Sequence, residues 1–148
     1  MSVARRLPDR KILKDLQDTE RYARSWAHQA RPGMVLALVG DLGAGKTTFS
    51  KYFAKALGFK GLVSSPTFTL SHHYPARLPI YHIDCYRLDS TQGLIGAGLE
   101  AYLPSTDGVT LIEWADKFPQ LLPQHTLNLA FEILDEDRRA VTYAKGQP

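Results

Sequence analysis

The 148-residue sequence has little cysteine: Cys85 stands alone, so no disulfide can form within the chain. That scarcity fits a reducing compartment. Long hydrophobic runs are missing as well, and no apolar stretch approaches the ~18 residues that a membrane-spanning helix needs. The basic N-terminus, MSVARRLPDRKILKD, lacks the apolar centre of a secretory signal. These absences predict a cytoplasmic protein with no membrane partner. Internal repeats, low-complexity tracts and linker-like segments are also lacking. One domain over residues 1–148 is therefore expected, with 1–13 flexible or partly ordered. Neither sign of charge dominates: 18 Lys and Arg against 15 Asp and Glu leave a net charge of +3. Such a balance permits an anionic partner without requiring one. Arg5, Arg6, Arg10 and Lys11 could contact RNA, but a solvated chain end is the plainer reading.

What the chain does have is a glycine-rich run with a purpose. Gly40 to Thr47 reads GDLGAGKT, directly behind the apolar stretch MVLALV at Met34 to Val39. Strand, glycine turn and helix in that order make a phosphate-binding loop. Glycines let backbone N–H groups converge on phosphate oxygens without Cβ clashes. The following helix turns its positive end toward the anion. Lys46 brings a cation to the β- and γ-phosphates, and Thr47 offers a hydroxyl to Mg²⁺. The candidate nucleotide-binding run is Gly40, Asp41, Leu42, Gly43, Ala44, Gly45, Lys46, Thr47 and Thr48. Asp41 could shape the loop by bonding local backbone.

The rest of the pattern predicts an α/β domain. Asp15 is placed to cap a helix whose apolar positions are Leu16, Thr19, Ala23, Trp26, Ala27 and Ala30, stopped by Pro32-Gly33. Met34 to Val39 shows no polar alternation and reads as a strand covered on both faces. The helix from Lys46 buries Phe49, Phe53, Ala56 and Leu57. Thr67–Tyr74 and Leu78–Asp84 read as an antiparallel pair, Thr91–Leu103 as a short helical stretch, and Val109–Trp114 as a strand. Leu127–Leu134 and Ala140–Ala144 form a hairpin around DEDR. The expected architecture is a single-domain P-loop nucleotide-binding fold with a mixed, mainly parallel sheet and antiparallel additions.

Magnesium-assisted phosphate chemistry calls for carboxylates at strand ends near the loop. Asp84 closes LPIYHID and Glu113 closes VTLIE. Either could hold the metal or orient an attacking water, and the two roles stay open between them. The hydroxyls of SSPTFTL offer Thr67 as a further contact to Mg²⁺ or phosphate, with an ordinary Ser/Thr turn as the competing reading. His72, His73 and His82 show no zinc spacing with Cys85. His82 shares Asp84's side of its strand and could contact it.

These segments, GDLGAGKTTFSK, SPTFTL, HIDCYRL, GAGLEAYL and LIEWAD, resemble in order and spacing the bacterial TsaE family, also called YjeE. The likeness runs from about Asp15 to Arg139; Cys85 stands where the family commonly has an apolar residue. The resemblance implies a small cytoplasmic ATPase acting in N6-threonylcarbamoyladenosine (t6A) synthesis on tRNAs reading codons that begin with A. It implies ATP or ADP and Mg²⁺ as cofactors, TsaB and TsaD as protein partners, and tRNA reached indirectly through their complex. It carries over Lys46 and Thr47 as phosphate and Mg²⁺ contacts, Glu113 and Asp84 as metal-side or catalytic carboxylates, and Thr67 as part of a switch-like segment. It places Trp114 near the nucleotide and Arg138 where a basic side chain can approach it. Two other readings share the phosphate loop: a small-molecule or nucleoside kinase, and a nucleotide switch without catalysis.

Overall fold

The computed structural model describes residues 9–64 and 70–146. Seven strands form one sheet in the order β1-β7-β6-β2-β5-β4-β3. They are β1 (Arg10–Leu13), β2 (Val35–Val39), β3 (Ser71–Tyr74), β4 (Ile80–Asp84), β5 (Val109–Glu113), β6 (Leu127–Ile133) and β7 (Arg139–Lys145). The central four, β6-β2-β5-β4, run parallel, and antiparallel pairs are added at both sides. The mixed sheet expected from the sequence is thus present. β2 lies at its centre and buries both faces, as its unbroken apolar run requires.

Helices α1 (Leu16–His28) and α2 (Lys46–Ala56) cover one face of the sheet. Asp15 caps α1 by accepting the Asp18 N–H at 2.9 Å. The face of α1 carrying Tyr22, Ala23 and Trp26 packs with Phe49 and Phe53 of α2 against Leu36, Leu38, Leu111 and Phe131. The other face is covered by α3 (Thr91–Gly96), the 3-10 turn Leu99–Tyr102 and the segment holding Ala115, Phe118 and Leu122. No described helix is long and apolar enough to cross a membrane.

Three elements add detail to the sequence reading. The N-terminal stretch supplies an edge strand, β1, paired with the last strand, and Arg10 and Lys11 belong to it. Arg5 and Arg6 lie outside the described residues. The helical stretch Thr91–Leu103 is two short pieces, parted where Gly98 turns at φ +74°. The strand expected from Thr67 is described only as β3, Ser71–Tyr74, antiparallel to β4; its first residues, Thr67 included, lie outside the described residues.

Candidate nucleotide site

The phosphate loop carries the chain from β2 into α2. Gly40 has φ +145°, and a Cβ there would lie 2.6 Å from the Phe131 carbonyl oxygen on β6. Only glycine lets the loop rest on that strand. Gly45, at φ +113°, is the N-cap of α2 and brings no capping side chain. The first N–H groups of α2 have no partner inside the helix, and the macrodipole makes that end positive. Loop and helix together form a socket for an anion. Ala44 is buried and donates its N–H to the Asp41 carbonyl at 3.1 Å. Asp41 therefore shapes the loop through its backbone; its side chain is exposed.

Lys46 is only 5% exposed. Its Nζ donates to the Gly40 carbonyl at 2.5 Å and sits 3.9 Å from the centre of the Trp114 ring. Burial lowers its pKa from the ordinary lysine value, and the nearby Glu113 and Asp84 oppose that shift. Trp114 adopts the left-handed region at φ +59°, which costs a non-glycine residue on the order of 1 kcal/mol. The turn packs its indole against the Tyr86 ring, 5.0 Å between centres, as well as over Lys46.

The parallel register sets Asp84 opposite Glu113, so both carboxylates leave the same sheet face at the C-terminal ends of adjacent strands. They are 1% and 3% exposed. Asp84 Oδ1 accepts the Tyr86 N–H at 2.8 Å. Glu113 Oε2 lies 2.7 Å from His82 Nε2. His82 thus meets the acid on the neighbouring strand, a contact that spacing within β4 could not reveal.

Lys46, Asp84, Tyr86, Glu113 and Trp114 line one cleft of about 320 Å³ with the loop and the first turn of α2. A second cleft of about 680 Å³ shares Gly43, Gly45 and Thr48 with it. Lys14, Asp15 and Gln17 line that cleft on one side, and Glu136, Asp137 and Arg139 on the other. Arg138 pairs with Asp135 in the β6–β7 turn, Nε to Oδ2 at 2.7 Å. It is Arg139 that reaches the phosphate loop, donating from Nε to the Gly43 carbonyl at 3.3 Å. Arg139 and Tyr86 are site residues that sequence reasoning overlooked, and His82, for which a contact with Asp84 was expected, meets Glu113. The Asp-x-Tyr spacing of Asp84 and Tyr86 was the available signal for one of them.

The donor set suits a hard divalent cation. Two buried carboxylates side by side are costly without a compensating positive charge. Oxygen donors from Asp84, Glu113 and Thr47 are the ligand type Mg²⁺ takes. Among the described residues no cluster of three His, Cys, Asp or Glu could hold a metal. Mg²⁺ fits such a sparse set because phosphate and water complete its shell.

Cys85 follows Asp84 but faces the opposite layer with Ile83 and Ala115. Burial pushes its thiol up to about 12 from 9.0. Folding favours the neutral thiol, a contribution present below pH 9 and lost as pH rises through about 12. The native protein should therefore resist a thiol-specific disulfide reagent at pH 8, while urea-unfolded chain reacts at its one cysteine. Equal rates in the two states would contradict this placement.

Comparison with known proteins agrees with the geometry. The family model described as "Threonylcarbamoyl adenosine biosynthesis protein TsaE" matches residues 13–141. The Bacillus subtilis (strain 168) protein named tRNA threonylcarbamoyladenosine biosynthesis protein TsaE is 43% identical over 129 residues, covering 86% of this chain and 79% of the relative. The protein of that name from Treponema pallidum (strain Nichols) is 36% identical over 133 residues, covering 90% and 98%. The crystal structure of Bacillus subtilis YdiB superposes with a TM-score of 0.74 at 36% identity, covering 93% of this chain and 84% of that one. With the family model matching residues 13–141 and relatives at this identity over most of their length, this chain is a member of the TsaE family.

Proposed function

We propose that this protein binds ATP with Mg²⁺ and hydrolyses it in support of t6A formation on tRNA, working with a TsaB–TsaD complex. One observation carries the hydrolytic part: Asp84 and Glu113 are buried side by side in the cleft that holds Lys46 and Thr47. Binding alone does not require two desolvated acids beside a phosphate socket. The pathway and the partners rest on family membership.

In this reading the α2 N-terminus and loop amides hold the phosphates, and Lys46 leaves the Gly40 carbonyl and the Trp114 face to meet the terminal ones. Thr47 and one of Asp84 and Glu113 would hold Mg²⁺, which would supply positive charge to the transferring phosphate. The carboxylate not engaged with the metal accepts a hydrogen bond from water and aims it at the γ-phosphate. Trp114 and Tyr86 wall the cleft against bulk solvent. The second cleft accommodates ribose and adenine. Beyond Glu113 the chain forms turns and the β6–β7 hairpin, which complete the sheet. That arrangement favours water over a metabolite as acceptor.

Purified protein should release phosphate from ATP slowly alone and faster with TsaB–TsaD, and deleting its gene should lower t6A in bulk tRNA. Undiminished t6A would defeat the pathway assignment. No phosphate release under either condition would defeat the hydrolytic one.

A further inference from the structure

Glu113 is gripped from behind. His82 lies on β4, two residues before Asp84 and on the same face, with no exposed surface. Its Nε2 is 2.7 Å from Glu113 Oε2 on β5. Its Nδ1 is 2.9 Å from the Tyr74 hydroxyl on β3. That hydroxyl also lies 3.2 Å from the Ser64 carbonyl and 3.4 Å from His72 Nδ1. A buried polar chain therefore crosses three neighbouring strands and ends on the carboxylate of the nucleotide cleft.

The chemistry of the acid fixes one of the hydrogens. Glu113, as a carboxylate, only accepts, so the hydrogen between it and His82 sits on Nε2. Burial pushes the Tyr74 phenol up to about 12, so it keeps its one proton, which faces both the Ser64 carbonyl at 3.2 Å and His82 Nδ1 at 2.9 Å. Tyr74 thereby holds the imidazole by its far nitrogen, with Nε2 turned to Glu113. One carboxylate oxygen is fixed by this bond, and the other is left for the cleft that Glu113 lines. A core that needed only packing would be served as well by apolar side chains of the same size. What the chain supplies instead is a single orientation for one acid.

We propose that His82 is a positioning residue for hydrolysis: it holds Glu113 by Oε2 in the productive rotamer, and Tyr74 holds His82. The inference rests on the ATP-hydrolysing reading of the cleft. Its test compares the full-length wild type with His82→Leu, His82→Gln and Tyr74→Phe. Single-turnover hydrolysis, ADP affinity by calorimetry and thermal melting are measured on the same preparations. Glutamine can return an N–H to Glu113 and leucine cannot. Loss of such a supporting bond typically costs about 10–100-fold in activity. His82→Leu should fall by that factor in turnover with ADP affinity kept, and His82→Gln should recover most of the loss. Tyr74→Phe keeps the ring in the core and should give a smaller loss, which carries the test if His82→Leu melts early. Native turnover in His82→Leu, or glutamine as slow as leucine, would overturn the role. A wild type that never cleaves ATP would overturn the hydrolytic reading itself, whereas an active wild type beside an equally active His82→Leu overturns only this inference.

Discussion

Exchanging Glu113 for glutamine is expected to lower ATP turnover by about 10²–10³-fold while magnesium-free ADP still binds with near-native affinity. The substitution keeps the shape and removes the charge. Glu113 is 3% exposed, so no bulk water stands ready to replace what the carboxylate does. A neutral amide neither draws a proton from water nor balances a divalent cation. The phosphate socket, by contrast, is built from loop amides and Lys46 and does not depend on that charge. The split between turnover and affinity is therefore the signature: phosphate release with the partner complex reads one, calorimetry the other. Asp84→Asn should behave similarly, because Asp84 faces the same cleft opposite Glu113. A Glu113→Gln protein that turns over at the native rate would remove this acid from the chemistry.

Truncating Phe49 to alanine should cost about 3–5 kcal/mol of stability. For a chain of this size that lowers the melting temperature by roughly 6–20 °C. Phe49 is fully buried on α2, with ring centres 6.1 Å from Tyr22, 5.9 Å from Phe53 and 5.7 Å from Phe131. It joins both helices to the strand on which Gly40 rests. The vacated space cannot collapse without moving α2, whose first turn is the phosphate socket. Saturating nucleotide should return part of the lost melting temperature, since it binds only the folded state. A drop below about 3 °C would mean that this aromatic cluster contributes far less than its burial implies.

Local chemistry explains which features could be read from the sequence. β2, its glycine turn and α2 announce themselves within a few residues, and the two acids stand at the ends of apolar runs. Asp15 caps α1 by a bond three residues away. The β6–β7 hairpin follows from alternation and a polar turn. What stayed hidden depends on partners distant in the chain. β1 is RKIL, with two apolar residues, and is a strand because β7 offers it an edge. His82 meets Glu113 because of the β4–β5 register, which no spacing within one strand encodes. Arg139 opens β7 and reaches the loop, while Arg138 is held by Asp135 in the preceding turn, a division that residue spacing alone does not encode. Glycines within Thr91–Leu103 weakened a helix that the structure divides in two.

The position of β6 beside β2 bears on how the protein is made. The phosphate loop is synthesised early, yet its floor is the Phe131 backbone, and β1 pairs only with β7. A chain still emerging from the ribosome therefore carries the binding motif without a surface to support it. Proteolytic loss of the β6–β7 hairpin would strip β2 of one neighbour and undo the socket together. Possession of a working nucleotide site is in this way a certificate that synthesis has passed β6 and β7.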